Sequence, residues 1–112
     1  MRIAIPLAGG ELSTHFGHCE QFAVVDVDRE KKAILQSSAV PAPPHQPGLL
    51  PRWLIEQGVN LIIAGGIESR ARDILEAAGA DVVAGAAPAP PETVVRTWLD
   101  GTLDLSGAGC DH

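Results

Sequence analysis

A three-layer α/β sandwich built on one mixed five-stranded sheet is the fold this 112-residue chain predicts, and two observations predict it. The first half holds three strand-like stretches, the second and third joined by a short polar turn. The second half alternates short apolar runs with stretches of helical period. Strands that alternate with helices read as parallel crossovers, and strands joined by a tight turn read as an antiparallel hairpin, so the sheet is mixed. At 46% hydrophobic and 20% charged residues, the chain is globular in composition and the right size for a single core.

Each element has its own signal. Arg2–Leu7 alternates with Ile3, Ile5 and Leu7 on one face, a first strand that Ala8-Gly9-Gly10 ends. Residues 11–20 show neither strand nor helix period and read as a loop. Gln21–Val27 is rich in β-branched residues and reads as a second strand. The polar turn 28–31 returns the chain as a third strand over Lys32–Ser37. From Val40 to Gly48 four prolines remove backbone donors and fix φ, so this stretch reads as an extended crossover rather than a helix or a central strand. Leu49–Gln57 is a short helix that tolerates Pro51 in its first turn and stops at Gly58. Asn60–Ala64 is a continuous apolar run, the mark of a strand covered on both faces. Ser69–Ala78 places Ala71, Ile74, Leu75 and Ala78 on one helical stripe. Asp81–Ala84 is a further short strand, and Glu92–Asp100 a last helix that buries Val94, Val95, Trp98 and Leu99. Residues 1–105 therefore form one α/β domain, followed by a tail, 106–112, whose small residues predict flexibility.

Composition removes several classes of function. The formal charge of −6 and four aromatic residues supply neither the cationic face nor the stacking platform that nucleic acid requires. No apolar run approaches the ~18–20 residues of a bilayer span. The N-terminal stretch turns strand-like at once without a signal-peptide h-region, so the cytoplasm is the expected address. In that reducing setting the two cysteines are expected as free thiols or ligands, with a Cys19–Cys110 disulfide as the alternative. A two-metal hydrolytic site needs converging carboxylates, and the first and fourth strands carry none. No Gly-x-Ser-x-Gly elbow is present. His18 and Cys19 are neighbours on an extended segment, so they point apart rather than form an activated pair. The chain is not expected to be an enzyme.

What remains is metal chemistry. His15-Phe16-Gly17-His18-Cys19 concentrates three ligating side chains in five residues, and Cys110-Asp111-His112 repeats the ligand types at the other end. Neutral imidazole and thiolate suit zinc, soft metals and iron–sulfur units. His45, in the proline-rich crossover, reads as a solvated loop residue. Ligands of open α/β sheets bind beyond the carboxyl ends of parallel strands. The first strand ends just before the His/Cys loop and the fourth just before Gly65-Gly66, so one crevice is expected to hold both. The glycine turn leads into a helix whose N–H groups, with Arg70 and Arg72, favour an anion. Three readings stay open at this level. Zinc would take Cys19, Cys110, His112 and one loop histidine. A four-iron cluster wants more thiolates than two, and so needs mixed ligation or a homodimer that shares it. A Cys19/Cys110 thiol-redox protein is the third.

Ser13-x-His15-Phe16-Gly17-x-x-x-x-Phe22 after an Ile-Ala-Ile-Pro strand resembles the dinitrogenase iron–molybdenum cofactor biosynthesis family of NifX/NafY-like carriers. Leu61-Ile62-Ile63-Ala64-Gly65-Gly66-Ile67, Gly79-Ala80-Asp81-Val82 and Trp98-Leu99-x-Gly101-x-Leu103 extend the likeness over nearly the whole chain. The resemblance implies a ribonuclease-H-like topology without nuclease activity. It also implies binding of an iron–sulfur or molybdenum-containing metal–sulfur cluster, received from donor proteins and passed to acceptor proteins. On that basis His15 is the leading cluster contact, Ser13, Phe16 and Gly17 shape the loop, and Gly65-Gly66 forms the opposite wall. Cys110 and His112 then correspond to a Cys/His-bearing tail. Glu68 departs from the family's more glycine-rich turn, and its charge disfavours a strongly anionic cluster.

Overall fold

The computed structural model describes residues 1–16, 19–43 and 48–106. Their elements run β1 (Arg2–Ala8), β2 (Glu11–Leu12), β3 (Gln21–Asp28), β4 (Ala33–Pro41), α1 (Leu49–Glu56), β5 (Leu61–Ile63), α2 (Ser69–Ala77), β6 (Asp81–Val83) and α3 (Pro91–Asp100). The sheet order is β4-β3-β1-β5-β6, with β2 paired to β1 beside this path. β1 is parallel to β5, and β5 to β6. β3 is antiparallel to both β1 and β4. The expected mixed sheet is therefore present, with a sixth, two-residue strand added to it.

Side-chain alternation along the strands divides the core in two. Ile3, Ile5 and Leu7 of β1, Val25 and Val27 of β3, and Leu61 and Ile63 of β5 face Val94 and Val95 of α3. Ala4, Phe22 and Ile62 face the other way, toward Leu54 of α1 and Ala71 and Leu75 of α2. Three layers follow directly: one helix, the sheet, two helices. Every residue of β5 is buried, as its unbroken apolar run requires. Arg2 locks the far end of β1, donating to Asp26 of β3 at 2.9 Å and to the carbonyl oxygen of Gln57 at 2.6 Å. The guanidinium of Arg29, in the β3–β4 turn, lies 5.4 Å from the centre of the Trp98 ring of α3.

Two elements differ from expectation. β4 continues four residues beyond Ser37, to Pro41, which pairs with Gln21. A proline removes a donor that only an interior strand needs, and β4 is the sheet edge, so the loss is harmless there. β2 was expected as loop; two residues are too few to display a period, and only the return at Gly9-Gly10 (φ +63° and +84°) brings them against Leu7 and Ala8. Among the described residues no helix is long and apolar enough to cross a membrane.

Candidate functional site

The chain leaving β1 turns at Gly9-Gly10, pairs briefly as β2, and then crosses to the exit of β5. Ser13 N–H donates to the Pro6 carbonyl at 2.7 Å, and Leu12 N–H donates to Ala89 at 2.9 Å. Past that point His15 forms a parallel bridge with Gly66. Phe16 N–H donates to the Gly66 carbonyl at 2.9 Å, and Gly66 N–H donates to the Thr14 carbonyl at 2.8 Å. The exits of two parallel strands are thus joined, where open α/β sheets hold their ligands.

Gly65 explains how they come so close. A Cβ there would stand 2.9 Å from Thr14 Cα and 3.0 Å from the Ser13 carbonyl oxygen, well inside van der Waals contact. Its backbone is not in the left-handed region, so space rather than conformation demands glycine. The other flank is filled too: Gly85 N–H donates to the Gly65 carbonyl at 2.6 Å, and Ala86 N–H to that of Ala64 at 3.1 Å. The chain's own loop therefore occupies the close approach that the glycines were expected to offer a ligand. Gly66's amide, on the wall expected to face the cluster, is already committed to the Thr14 carbonyl.

The loop is pinned on both sides of His15. Ser13, buried at 6% exposure, donates its Oγ hydrogen to the His15 carbonyl at 2.9 Å and accepts from His15 N–H at 3.2 Å. Phe16 is buried, its ring edge-on to Phe22 with centroids 5.9 Å apart, and Phe22 lies 5.6 Å from Trp53. Between these anchors His15 is exposed. Ser13 and Phe16 thus shape the loop from within the protein, and the imidazole is the part that faces outward.

Cys19 is half-buried against the α1/α2 side of the core, the cluster that also holds Phe16. Burial pushes its thiol up to about 11, so at neutral pH it is protonated and a poor nucleophile. A metal would have to displace that proton to gain the ligand. Glu20 secures the exit of the segment: its N–H donates to Leu7, its carbonyl accepts from Ala42, and its carboxylate accepts from Gly9 N–H at 3.1 Å. Arg70 is exposed in the first turn of α2, beyond Glu68, whose side chain makes no capping hydrogen bond. Arg72, on the same helix, has its Nε enclosed without a hydrogen-bond partner among the described residues.

Ser13, His15, Phe16, Gly65 and Gly66 are therefore brought together, with Cys19 on the adjoining core. Gly17, His18, His45, Cys110 and His112 lie outside the described residues. Among the described residues no three His, Cys, Asp or Glu side chains converge as a metal site. Sequence reasoning missed Thr14 and Gly85, which grip the glycine turn from its two sides. It also missed Asp104, whose carbonyl accepts from Ala87 N–H at 3.0 Å. The small-residue run after β6 was the one available hint of close packing.

Comparison with known proteins gives this site a context. The family model described as dinitrogenase iron-molybdenum cofactor matches residues 1–101. The protein MJ0580 of Methanocaldococcus jannaschii is 32% identical over 108 residues, covering 93% of this chain and 90% of its own. The crystal structure of PH0822 superposes with a TM-score of 0.87 at 27% identity, covering 95% of each chain. The apo form of the orange protein from Desulfovibrio gigas superposes at 0.76 with 23% identity, covering 94% of this chain and 92% of its own, a likeness of fold.

Proposed function

This chain belongs to the dinitrogenase iron-molybdenum cofactor family, and from that premise we propose that it is a small carrier whose cargo is an iron–sulfur or molybdenum-containing metal–sulfur cluster. The observation that supports this most directly is the exposed His15, held between two buried anchors against the glycine turn. A carrier needs a ligand that is well positioned in the empty protein yet easily surrendered, and one imidazole on a pinned loop meets both needs. Cys19, four residues further along the chain, supplies a thiol, and the N-terminal end of α2 with Arg70 favours the negative charge of the sulfides. Glu68 opposes that charge and narrows the choice toward less anionic clusters. We read the topology as ribonuclease-H-like, which the strand order supports.

The C-terminal ligands join this reading through reach. Asp104 is bonded to Ala87, two residues after Gly85, which itself bonds Gly65. Cys110 follows six residues beyond Asp104, a covalent reach of up to about 20 Å. Gly17 and His18 complete the loop in this proposal, and residues 106–112 act as its tail. The carrier is a cytoplasmic, non-catalytic protein that takes its cluster from one protein and gives it to another. A mononuclear zinc module acting through a partner is the second reading, favoured by the same imidazole and thiol ligands.

Anaerobic reconstitution with iron and sulfide, with and without molybdate, tests the proposal. The expected product has sulfide-to-metal charge-transfer absorption that is largely lost in His15→Ala. One bound metal without acid-labile sulfide would select the zinc module. Equal loading of wild type and His15→Ala would remove His15 from the site.

A further inference from the structure

We infer that Ser13 is the positioning residue of the cargo site: its hydroxyl fixes the backbone of His15, and through it the direction in which the imidazole is offered, without touching the cargo itself. The inference rests on the carrier reading above and adds to it a residue that acts through His15. Phe16 N–H and the Thr14 carbonyl both turn toward Gly66 and bond it. Neighbouring residues of an extended chain turn their backbone groups opposite ways, so the N–H and C=O of His15 itself turn away from Gly66. Left without partners there, part-buried backbone groups would cost stability. Both instead meet one atom. His15 N–H donates to Ser13 Oγ at 3.2 Å, and the Ser13 hydroxyl donates back to the His15 carbonyl at 2.9 Å.

The backbone is thereby held from both sides. The peptide unit before His15 has its carbonyl on Gly66 and its N–H on Ser13; the unit after it has its carbonyl on Ser13 and its N–H on Gly66. The two units meet at His15 Cα, so φ and ψ of that residue are both fixed, and with them the Cα–Cβ bond that carries the ring. A hydroxyl on a short stem suits this task, because a single oxygen has to donate and accept within two residues of its own backbone. Alanine can do neither. Ser13 is buried while His15 is exposed, so the hydroxyl works from inside the protein and leaves the outer face to the ring. A ligand whose backbone is already fixed loses less freedom on binding. Fixing one residue's backbone is worth roughly five- to thirtyfold in an equilibrium constant. The bonds to Gly66 remain without Ser13, which puts the expected loss at the lower end, about fivefold.

Anaerobic reconstitution with iron and sulfide, followed by titration with a ferrous-iron chelator, tests this in wild type, Ser13→Ala, Ser13→Thr and Gly10→Ala. Ser13→Ala should still load but give up its iron at about fivefold lower chelator concentration, with Ser13→Thr close to wild type. Gly10→Ala, which strains the chain at φ +84° without a new contact, should hold iron as wild type does. In the empty protein the wild-type His15 amide should exchange as slowly as those of Phe16 and Gly66, and faster in Ser13→Ala; the wild-type measurement serves if the variants fold poorly. Equal retention by wild type and Ser13→Ala, an equal loss in Gly10→Ala, or an unprotected wild-type His15 amide overturns the inference and leaves the carrier reading standing. A wild type that takes up no iron–sulfide chromophore removes the carrier reading, and the inference falls with it.

Discussion

Replacing Gly65 by alanine tests the central geometric claim, that the β1 exit loop lies directly on the glycine turn. The new methyl would meet Thr14 Cα at 2.9 Å and the Ser13 carbonyl at 3.0 Å, both backbone atoms. Ordinary contact begins near 3.4 Å, so two chain segments must separate by roughly half an ångström. They cannot do so freely, because the 2.8 and 2.9 Å hydrogen bonds between Thr14, Phe16 and Gly66 hold them. Accepting the overlap costs about 1–3 kcal/mol, as overpacking does. Releasing the loop loses two backbone bonds at about 1 kcal/mol each, so neither route is cheaper. Urea unfolding should show a loss of about 2 kcal/mol with an unchanged m-value. Exchange of the Phe16 and Gly66 amides should quicken beyond what global destabilisation explains. Gly10→Ala is the control: its φ is +84° and nothing lies within 4 Å of the new methyl, so it incurs backbone strain alone, about 1 kcal/mol, and leaves those two amides alone. Gly65→Ala within about 0.5 kcal/mol of wild type, with unaltered exchange, would refute the packing described here.

Other expectations follow from the same residues. Phe16→Ala should cost about 3–5 kcal/mol, since the ring is buried between the loop and Phe22; a loss under about 1 kcal/mol by denaturant titration would show that the ring is no anchor. Cys19, pushed up to about 11 from an ordinary 9.0, should react with iodoacetamide at pH 8 about 100-fold more slowly in native protein than in urea, and equal rates would contradict its burial. Because the fold favours the protonated thiol, the stability it contributes is complete below about pH 9 and is lost as pH rises through about 11. The Asp26 carboxyl is held below the usual carboxylate range, first by its hydrogen bond from Arg2. Its stabilisation is therefore present above the ordinary carboxylate range and lost as pH falls through the lowered one. The Tm difference between wild type and Asp26→Asn should shrink on acidification, and a difference constant with pH would refute the pairing.

How much of this was legible in the sequence depended on whether a residue's task was local. Alternation in Ile3-Ala4-Ile5 and the unbroken run Leu61-Ile62-Ile63 reflect which faces are covered, so these strands could be read within a residue or two. The register of Pro41 could not, because the cost of a proline depends on whether its strand lies at an edge. The meeting of the His15 loop with Gly65-Gly66 was readable from connectivity alone, since adjacent parallel strands open at one end. What fills the space above Gly65 was not. Glycine reports that something approaches closely, and nothing local says whether that is a ligand or Thr14. Gly85 and Asp104 escaped for the same reason, as their partners are distant in sequence and backbone pairing leaves no signature in residue type.

The seam between Thr14–Phe16 and Gly65-Gly66 has a mechanical consequence. Among the described residues it is bonded in both directions, and a Cβ on Gly65 would not fit it, so the backbone under His15 is tied directly to the exit of β5. In the proposed carrier, cargo on His15 would be exchanged by ligand substitution at the imidazole while this seam stays closed. In that reading an acceptor protein would present a competing ligand to that face, and the chemistry of the exchanged bond, rather than the opening of a gate, would set the rate of handover.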